Sequence, residues 1–421
     1  MTTPLAVPGI PEDRPSPRIE GFKGLDNRNP PSALGLAWQQ DAVNVVCDNT
    51  GWLRKRPGLS LLRTAVMDVH ATSGGRWYFV DSQSHLCDGR DATVLADAFV
   101  GAPFSWFELG NATFALSPTA AWAIYPDRVV PWGVPDAPPP VVEGFDATPR
   151  DALTPGRRLV ACVHCAADGR LGGTQTTVQL DLPSGKGLMV TASLLPGYRT
   201  RVYASAADGT VLYYRGELVP SQTHALLVVG DDLAPAMPLE TLGLSPTPRA
   251  ALAAAWRSRA VVADYESAYD RSVLYFSRPG NPHLFDLGQD VQLIEGRVTA
   301  LHEHSDGLLV ATDREVLVIT PDFGRRVLFG TGAPQGLIQT EPDGSPWLWT
   351  QVGPYRPATN ATPCLAQFIP PPDTQVAVAL VPFQGTLYLI AHLSGRPAAV
   401  HPLDTHPTRP IRSTFTNGVT L

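Results

Sequence analysis

The chain has 421 residues, including 42 Pro and 37 Gly, which interrupt it too often for long helices. That length allows two or three domains and a sizeable core. A formal net charge of -7 argues against wholesale nucleic-acid binding, and no apolar run approaches the ~20 residues of a membrane span. Charged residues make up 17%, below the usual ~25%, so part of the exterior is either polar and Pro-rich or interface. Five Cys (Cys47, Cys87, Cys162, Cys165 and Cys364) are an odd count without the spacing of a disulfide framework.

Met1–Pro17 is polar and Pro-rich and predicts a flexible arm. It lacks the apolar core of a signal peptide, so a soluble chain made in a reducing cytoplasm is expected. In Ile19–Gly58, Ala42–Cys47 and Trp52–Arg54 predict a hairpin around Asp48–Gly51. Trp52 and the basic run Arg54-Lys55-Arg56 beside this turn are candidate subunit contacts. The basic run fits a solvated face or an ionic contact to a neighbour.

Small antiparallel units follow. Arg76–Val80 and His85–Cys87 form one, with Asp88-Gly89 after them. Trp106–Leu109, Thr113–Ser117 and Trp122–Tyr125 form the next, turning at Gly110-Asn111 and Pro118. Ala137-Pro138-Pro139-Pro140 is a natural domain exit. Within Leu159–Glu240, strands are expected at Arg158–Ala166, Gly173–Leu182, Gly187–Ser193, Arg199–Ala204, Val211–Arg215 and His224–Val229. Turns every ~8–12 residues suit a fibronectin-like or immunoglobulin-like sandwich.

Pro248–Ala260 is the one helix-like alanine run. Arg259–Ala263 and Ser272–Ser277 return to short strands. Val298–Pro321 shows the unit most cleanly: Val298–Leu301, a turn at His304–Gly307, Leu308–Thr312, a turn at Asp313-Arg314, and Glu315–Thr320. Pro321 cannot donate to a ladder and ends that strand. Gln375–Val381, Thr386–His392 and Ala398–Pro402 form a last unit, and His401–Leu421 reads as a tail that docks or frays. The pattern predicts a mostly β chain, a β-propeller-like array of small antiparallel sheets with an inserted fibronectin/immunoglobulin-like β-sandwich. A set of unrelated sandwiches is the competing arrangement. The expected division is an arm and hairpin at 1–60, blades at 61–140, the sandwich at 141–243, blades again at 244–402 and a tail at 403–421.

Several stretches keep the order of landmarks known elsewhere. "GFKGLDNR", "DAVNVVCDNTGWLRKRPG", Asp127–Pro135, "PGYRTRVYASAADGTVLYYRGEL", Ser277–Asp286, Val298–Leu301 and Asp306–Thr312 together span most of residues 20–322. They resemble bacteriophage tail proteins of the nozzle, hub or stabilisation type. The resemblance implies a virion structural protein near the tail channel or portal–tail junction. It would assemble as a cyclic ring, a hexamer by family expectation, beside other tail or portal-proximal proteins and with passive passage of genomic DNA.

Chemical motifs are weak. Cys162-Val163-His164-Cys165 has no second pair, and positions i and i+3 of a strand face opposite sides. His302-Glu303-His304 supplies only two ligands on one strand face and lacks the H-E-x-x-H spacing; Asp68 with His70 stands alike. Asp264, Glu266, Asp270, Asp286 and Asp290 are acidic without a motif, and no sialidase repeat, nucleophile elbow or phosphate loop occurs. Trp77, Trp106, Trp122, Trp132, Trp347 and Trp349 suit blade cores or interface anchors better than sugar platforms. No catalytic, cofactor or metal residue is therefore expected, and the chain reads as non-enzymatic. The alternative is a carbohydrate-binding or glycan-hydrolysing propeller acting on a host surface.

Overall fold

A computed structural model describes residues 63–218, 236–334, 336–340 and 346–356, and Ser32. Elsewhere it describes the strands Gly24–Leu25, Trp38–Gln39, Val45–Cys47, Leu53–Lys55, Ala225–Val228, Thr362–Pro363, Val376–Phe383, Thr386–Leu393 and Ala399–Leu403. The chain divides into two compact units, 62–336 and a second made of 1–61 with 337–420. Among the described residues the strands form small sheets, antiparallel except for the pair Gly24–Leu25 with Trp38–Gln39, of the kind that form propeller blades.

Residues 62–336 contain four such sheets. The first is Val66–Ala71, Trp77–Asp81, Leu86–Asp88 and Val94–Ala96. The second is Ser105–Leu109, Ala112–Leu116, Ala121–Ile124 and Val129–Pro131. The third comprises Leu252–Trp256, Arg259–Glu266, Arg271–Arg278 and Asn281–Phe285, with Val291–Glu295 paired back onto Arg271–Arg278. The fourth is Val298–His304, Gly307–Thr312, Val316–Ile319 and Arg325–Phe329. The first, second and fourth are meanders whose strands are joined by turns too short for a crossover, and the third is a meander over its first four strands.

Strand alternation explains how these sheets stack. Trp106 and Ala115 turn one face of the second sheet toward Tyr78, Val80 and Leu86 of the first. Phe107, Phe114 and Leu116 turn the other face toward Ala260 and Val262 of the third. Val261 and Ala263 then face Val298, Leu308 and Val310 of the fourth. Period-two side-chain direction thus gives each inner sheet two buried faces. Polar ties join neighbouring sheets: the Ser105 hydroxyl donates to the Ala253 carbonyl (3.1 Å) and accepts from the Ala253 N–H (2.9 Å). The Ser272 hydroxyl likewise donates to Gly296 O (2.9 Å) and accepts from Val298 N–H (2.8 Å).

The sandwich is inserted between the second and third sheets. One of its layers is Val141–Asp146, Lys186–Thr191 and Ala225–Val228; the other is Val178–Leu182, Gly156–Cys165, Arg199–Ser205 and Leu212–Leu218. Val160, Cys162, Leu188, Val190 and Val202 fill the space between them. Ala161, Val163, Tyr203 and Leu212 form a second apolar layer on the far side, closed by Leu171 and Leu239. Burial on both faces accounts for the apolar run Leu159–Ala166, which is interrupted by His164, itself buried with Nδ1 3.1 Å from Thr200 Oγ1.

Three expectations change. Pro248–Ala260 is not helical: Leu252–Trp256 is the first strand of the third sheet, and Ala253 and Ala254 are buried on opposite faces. Packing from both sides overrides alanine's helix propensity. The sheets also carry a further strand beyond the apolar triplet. In the fourth, Pro321 ends Val316–Ile319 as expected, but Phe323 packs on Trp256 and Phe276 and the chain returns as Arg325–Phe329. Finally, Gly173–Leu182 is a strand only over Val178–Leu182. The Asp306-Gly307 turn is as expected: Gly307 has φ +154°, and a Cβ there would lie 2.0 Å from Ile319 O.

The second unit repeats the meander in Ile338–Thr340, Pro346–Thr350, Gly353–Arg356 and Thr362–Pro363, and in Val376–Phe383, Thr386–Leu393 and Ala399–Leu403. The expected N-terminal hairpin is present as Val45–Cys47 against Leu53–Lys55. The arm Met1–Pro17 and residues 404–421 of the tail lie outside the described residues.

Trp256, buried between the third and fourth sheets, sets a test of this stacking. Trp256→Ala is expected to cost about 3–5 kcal/mol, measured by chemical denaturation of the full chain.

Candidate functional site: the junction between sandwich and sheets

The residues that hold the sandwich against the second and third sheets come from segments far apart in sequence. Trp132 follows the last strand of the second sheet and is fully buried. Its ring meets Phe107 and Phe285 edge-on at 5.4 and 6.3 Å. Its indole N–H donates to the Pro282 carbonyl at 3.0 Å. A backbone pair, Ser245 N–H to Phe285 O (2.8 Å) and Phe285 N–H to Ser245 O (2.9 Å), ties the sandwich exit to the same strand.

From the sandwich side, the Asp168-Gly169 turn presents Arg170. This guanidinium donates to Trp132 O (2.6 Å), Pro131 O (3.2 Å) and Asp168 Oδ2 (2.8 Å). Burial alone would raise the Asp168 carboxyl, but the Arg170 hydrogen bonds and the charges of Arg170 and Arg128 outweigh it and hold it below the usual carboxylate range. Arg128 stands 3.8 Å from Asp168 and stacks over Tyr125 at 4.5 Å. The next residue, Leu171, accepts at its carbonyl from His283 Nε2 (3.1 Å). A carbonyl can only accept, so Nε2 carries the proton. Burial, with Arg170 nearby, lowers His283 to about 4, so the ring is neutral at pH 7.

Gly173 shows how close the approach is: a Cβ there would stand 1.9 Å from Leu244 O. At Gly172 it would stand 2.9 Å from Pro135 O. Gln175 completes the contact by donating to Ser245 Oγ at 2.8 Å. Such a set of hydrogen bonds and ring contacts fixes orientation; it offers no nucleophile or paired acid and base.

The residues singled out by sequence fall as follows. Trp52 and Arg56 lie outside the described residues. Arg54 and Lys55 lie in Leu53–Lys55, of whose side chains nothing is described. Cys162 points into the core between the sandwich layers, where burial pushes its thiol up to about 12. Cys165 faces the other way, 3.8 Å from Arg199. His302 and His304 each engage local backbone, His304 by accepting from Asp306 N–H at 3.2 Å. Asp68 accepts from Phe104 N–H (2.7 Å) and Trp106 Nε1–H (3.0 Å), and burial raises it. His70 stacks on Trp106 at 5.1 Å, and burial lowers it to about 4.

The acidic residues are not brought together. Glu266 pairs with Arg271 (2.6 Å), and Asp270 with Tyr265 and Arg314, at one end of Arg271–Arg278. Asp286 and Asp290 meet Arg278 (3.2 and 3.6 Å) at the other end. Among the described residues there is no group of three or more His, Cys, Asp or Glu able to hold a metal. Trp347 and Trp349 are buried like Trp132. The residues that sequence reasoning missed are Arg170 and His283, whose one visible signal was position: a turn and a Pro-flanked hairpin.

No family model and no curated protein matches the chain. Among solved structures, it is similar to BBS1N in complex with ARL6DN, at 14% identity over 84% of this chain and 81% of that one, TM-score 0.26. It is also similar to PorZ of the type-IX secretion system of Porphyromonas gingivalis (12% identity, 87% and 56% covered, TM-score 0.23) and to the SapL1 lectin in complex with alpha methyl fucoside (11%, 82% and 93%, TM-score 0.23). Superpositions this loose carry no argument about function.

Two outcomes test the junction. Gly173→Ala is expected to cost at least ~2 kcal/mol by driving a methyl group into backbone, read as a lower Tm with new protease cleavage near 132–136 and 240–246. The second is pH dependence. His283 is held neutral in the fold with its value lowered from 6.5 to about 4. Below pH 6.5 the unfolded chain takes up that proton and the folded chain does not, so stability is full above 6.5 and falls as pH drops toward 4, by up to about 3 kcal/mol. His283→Gln should flatten that part of the Tm-against-pH curve.

Proposed function

We propose that the chain is a structural, non-enzymatic component of a bacteriophage tail, a nozzle-, hub- or adaptor-type ring protein near the portal–tail channel. One observation carries this reading. Two of the stretches that resemble the tail-protein family, Asp127–Pro135 and Ser277–Asp286, meet at the junction through Trp132 and Pro282. These two landmarks also receive the sandwich: the carbonyls of Trp132 and Pro131 accept from Arg170, and His283 donates to the Leu171 carbonyl. Their work is geometric: they hold two β modules in one orientation, as a wall built of repeated copies requires. The N-terminal hairpin, with Trp52, Arg54, Lys55 and Arg56, is the proposed tie to neighbouring subunits, and the passage enclosed by the ring would admit DNA without gripping it.

A glycan-binding propeller is the second reading. It draws on the exposed rings of Tyr265 and Tyr269, with Arg297 and Arg271 stacked on them at 5.8 and 4.6 Å, an aromatic and polar pairing that sugars use. Immunogold electron microscopy of virions from the phage encoding this chain separates the two. Antibody to the chain is expected to label the tail at one fixed level, with a fixed copy number by quantitative mass spectrometry. Unlabelled virions together with saturable retention on a glycan array would replace the first reading with the second.

A further inference from the structure

A small cleft opens between the first and second sheets. Arg76, Tyr78 and Leu95 line it from the first sheet, and Ile124, Val129 and the turn between them from the second. That turn is closed by the Tyr125 N–H donating to Arg128 O at 2.8 Å, so its wall is preformed. The cleft holds about 100 Å³. An apolar cavity of ~150 Å³ admits a benzene, so this one admits a group of about five heavy atoms. Whole sugars and nucleotides use pockets of roughly 300–1,000 Å³.

Two polar groups at the cleft are unused by the fold. Tyr78 is only 4% exposed, and a phenol so buried normally finds a hydrogen-bond partner. Among the described residues its hydroxyl has none, and it is not sealed from solvent either, so it opens into the cleft that the residue lines. Arg76 lies over the Tyr78 ring at 6.0 Å. Its nearest carboxylate, Asp88, stands at 3.5 Å without a hydrogen bond, which leaves the five N–H donors of the guanidinium free to point at another acceptor. Arg128 is differently placed. It donates to both carboxylate oxygens of Asp127 (3.1 and 2.9 Å) and stands 3.8 Å from Asp168. Asp127, the acidic group in the lining, is thereby neutralised and does not turn an anion away.

We propose that this cleft binds a carboxylate on a short apolar stem, a group the size of a glutamate side chain. The carboxylate takes a forked pair of hydrogen bonds from Arg76, the geometry that guanidinium and carboxylate share, and a third from the Tyr78 hydroxyl. The stem lies against Leu95, Ile124 and Val129. A cation is repelled by Arg76, and an alcohol of the same length forfeits the charge-assisted bonds. Volume limits the occupant to a small acid or to one acidic side chain of a larger molecule. The inference goes beyond the tail reading and stands or falls apart from it.

Ligand-observed saturation-transfer NMR on the full chain tests it, with propionate, propanol and propylamine as probes. Propionate is expected to bind saturably with a Kd on the order of millimolar, and the other two not to saturate. Arg76→Gln should weaken propionate at least about tenfold. Tyr78→Phe should weaken it about three- to tenfold and leave Tm unchanged, because the hydroxyl it removes has no partner in the fold; this variant carries the test if Arg76→Gln does not fold. The peptide acetyl-Ala-Glu-Ala-amide then separates the two sources. Displacement of propionate by the peptide identifies an acidic side chain of a partner protein as the occupant, and propionate binding that the peptide leaves untouched identifies a free short acid. Propanol bound as well as propionate, no saturation by propionate or the peptide, or either folded variant binding as wild type does overturns the site.

Discussion

A sheet of three or four short strands cannot stand alone, because burying one face leaves the other in water. This chain meets the constraint by stacking. Trp106 and Phe107 are neighbours in one strand, yet one ring faces the first sheet and the other the third. The same holds for Val261 and Val262 on the third sheet. Every inner sheet is therefore glued on both sides, and the stiffness of the array follows from side chains that alternate with a period of two. The low charged fraction is a consequence, since few positions in such strands can face water.

The sandwich obeys the same constraint in a different way. Its four-stranded layer packs on the three-stranded layer with one face and is covered on the other by the loop through Leu171 and the exit segment through Leu239. Those segments also carry the junction. As a result the insertion is not a bead on a flexible linker: Gly172 and Gly173 let backbones touch, and Arg170 reaches past the turn to carbonyls of the preceding sheet. Its charge is matched by Asp168, while the neutral ring of His283 lets a second hydrogen bond form beside it without a second positive charge. Rigid placement of two modules is the property an assembly subunit needs.

The polar side chains elsewhere serve the same end. Arg259 and Arg278 neutralise Asp290, Arg278 also neutralises Asp286, and Arg271 neutralises Glu266. These partly exposed pairs add little stability each. They lie at strand ends and hairpin turns, where they fix how one strand leads into the next.

The sequence by itself determined the class of structure and most of the strands. Runs such as Leu308–Thr312, bounded by Asp-Gly or Pro, have only one comfortable local geometry, so their period and their turns were legible. It also carried the order of landmarks that suggests a tail protein. Only the tertiary structure decided which faces are buried, that Leu252–Trp256 is a strand, and that Arg325–Phe329 and Val129–Pro131 complete their sheets. Alanines and half-polar edge strands carry little local signal, and their conformation is set by the sheets beside them. The junction was beyond reach for a related reason. Trp132 and Pro282 are 150 residues apart, and nothing local in either stretch specifies a partner that distant; the partnership arises from packing the modules between them.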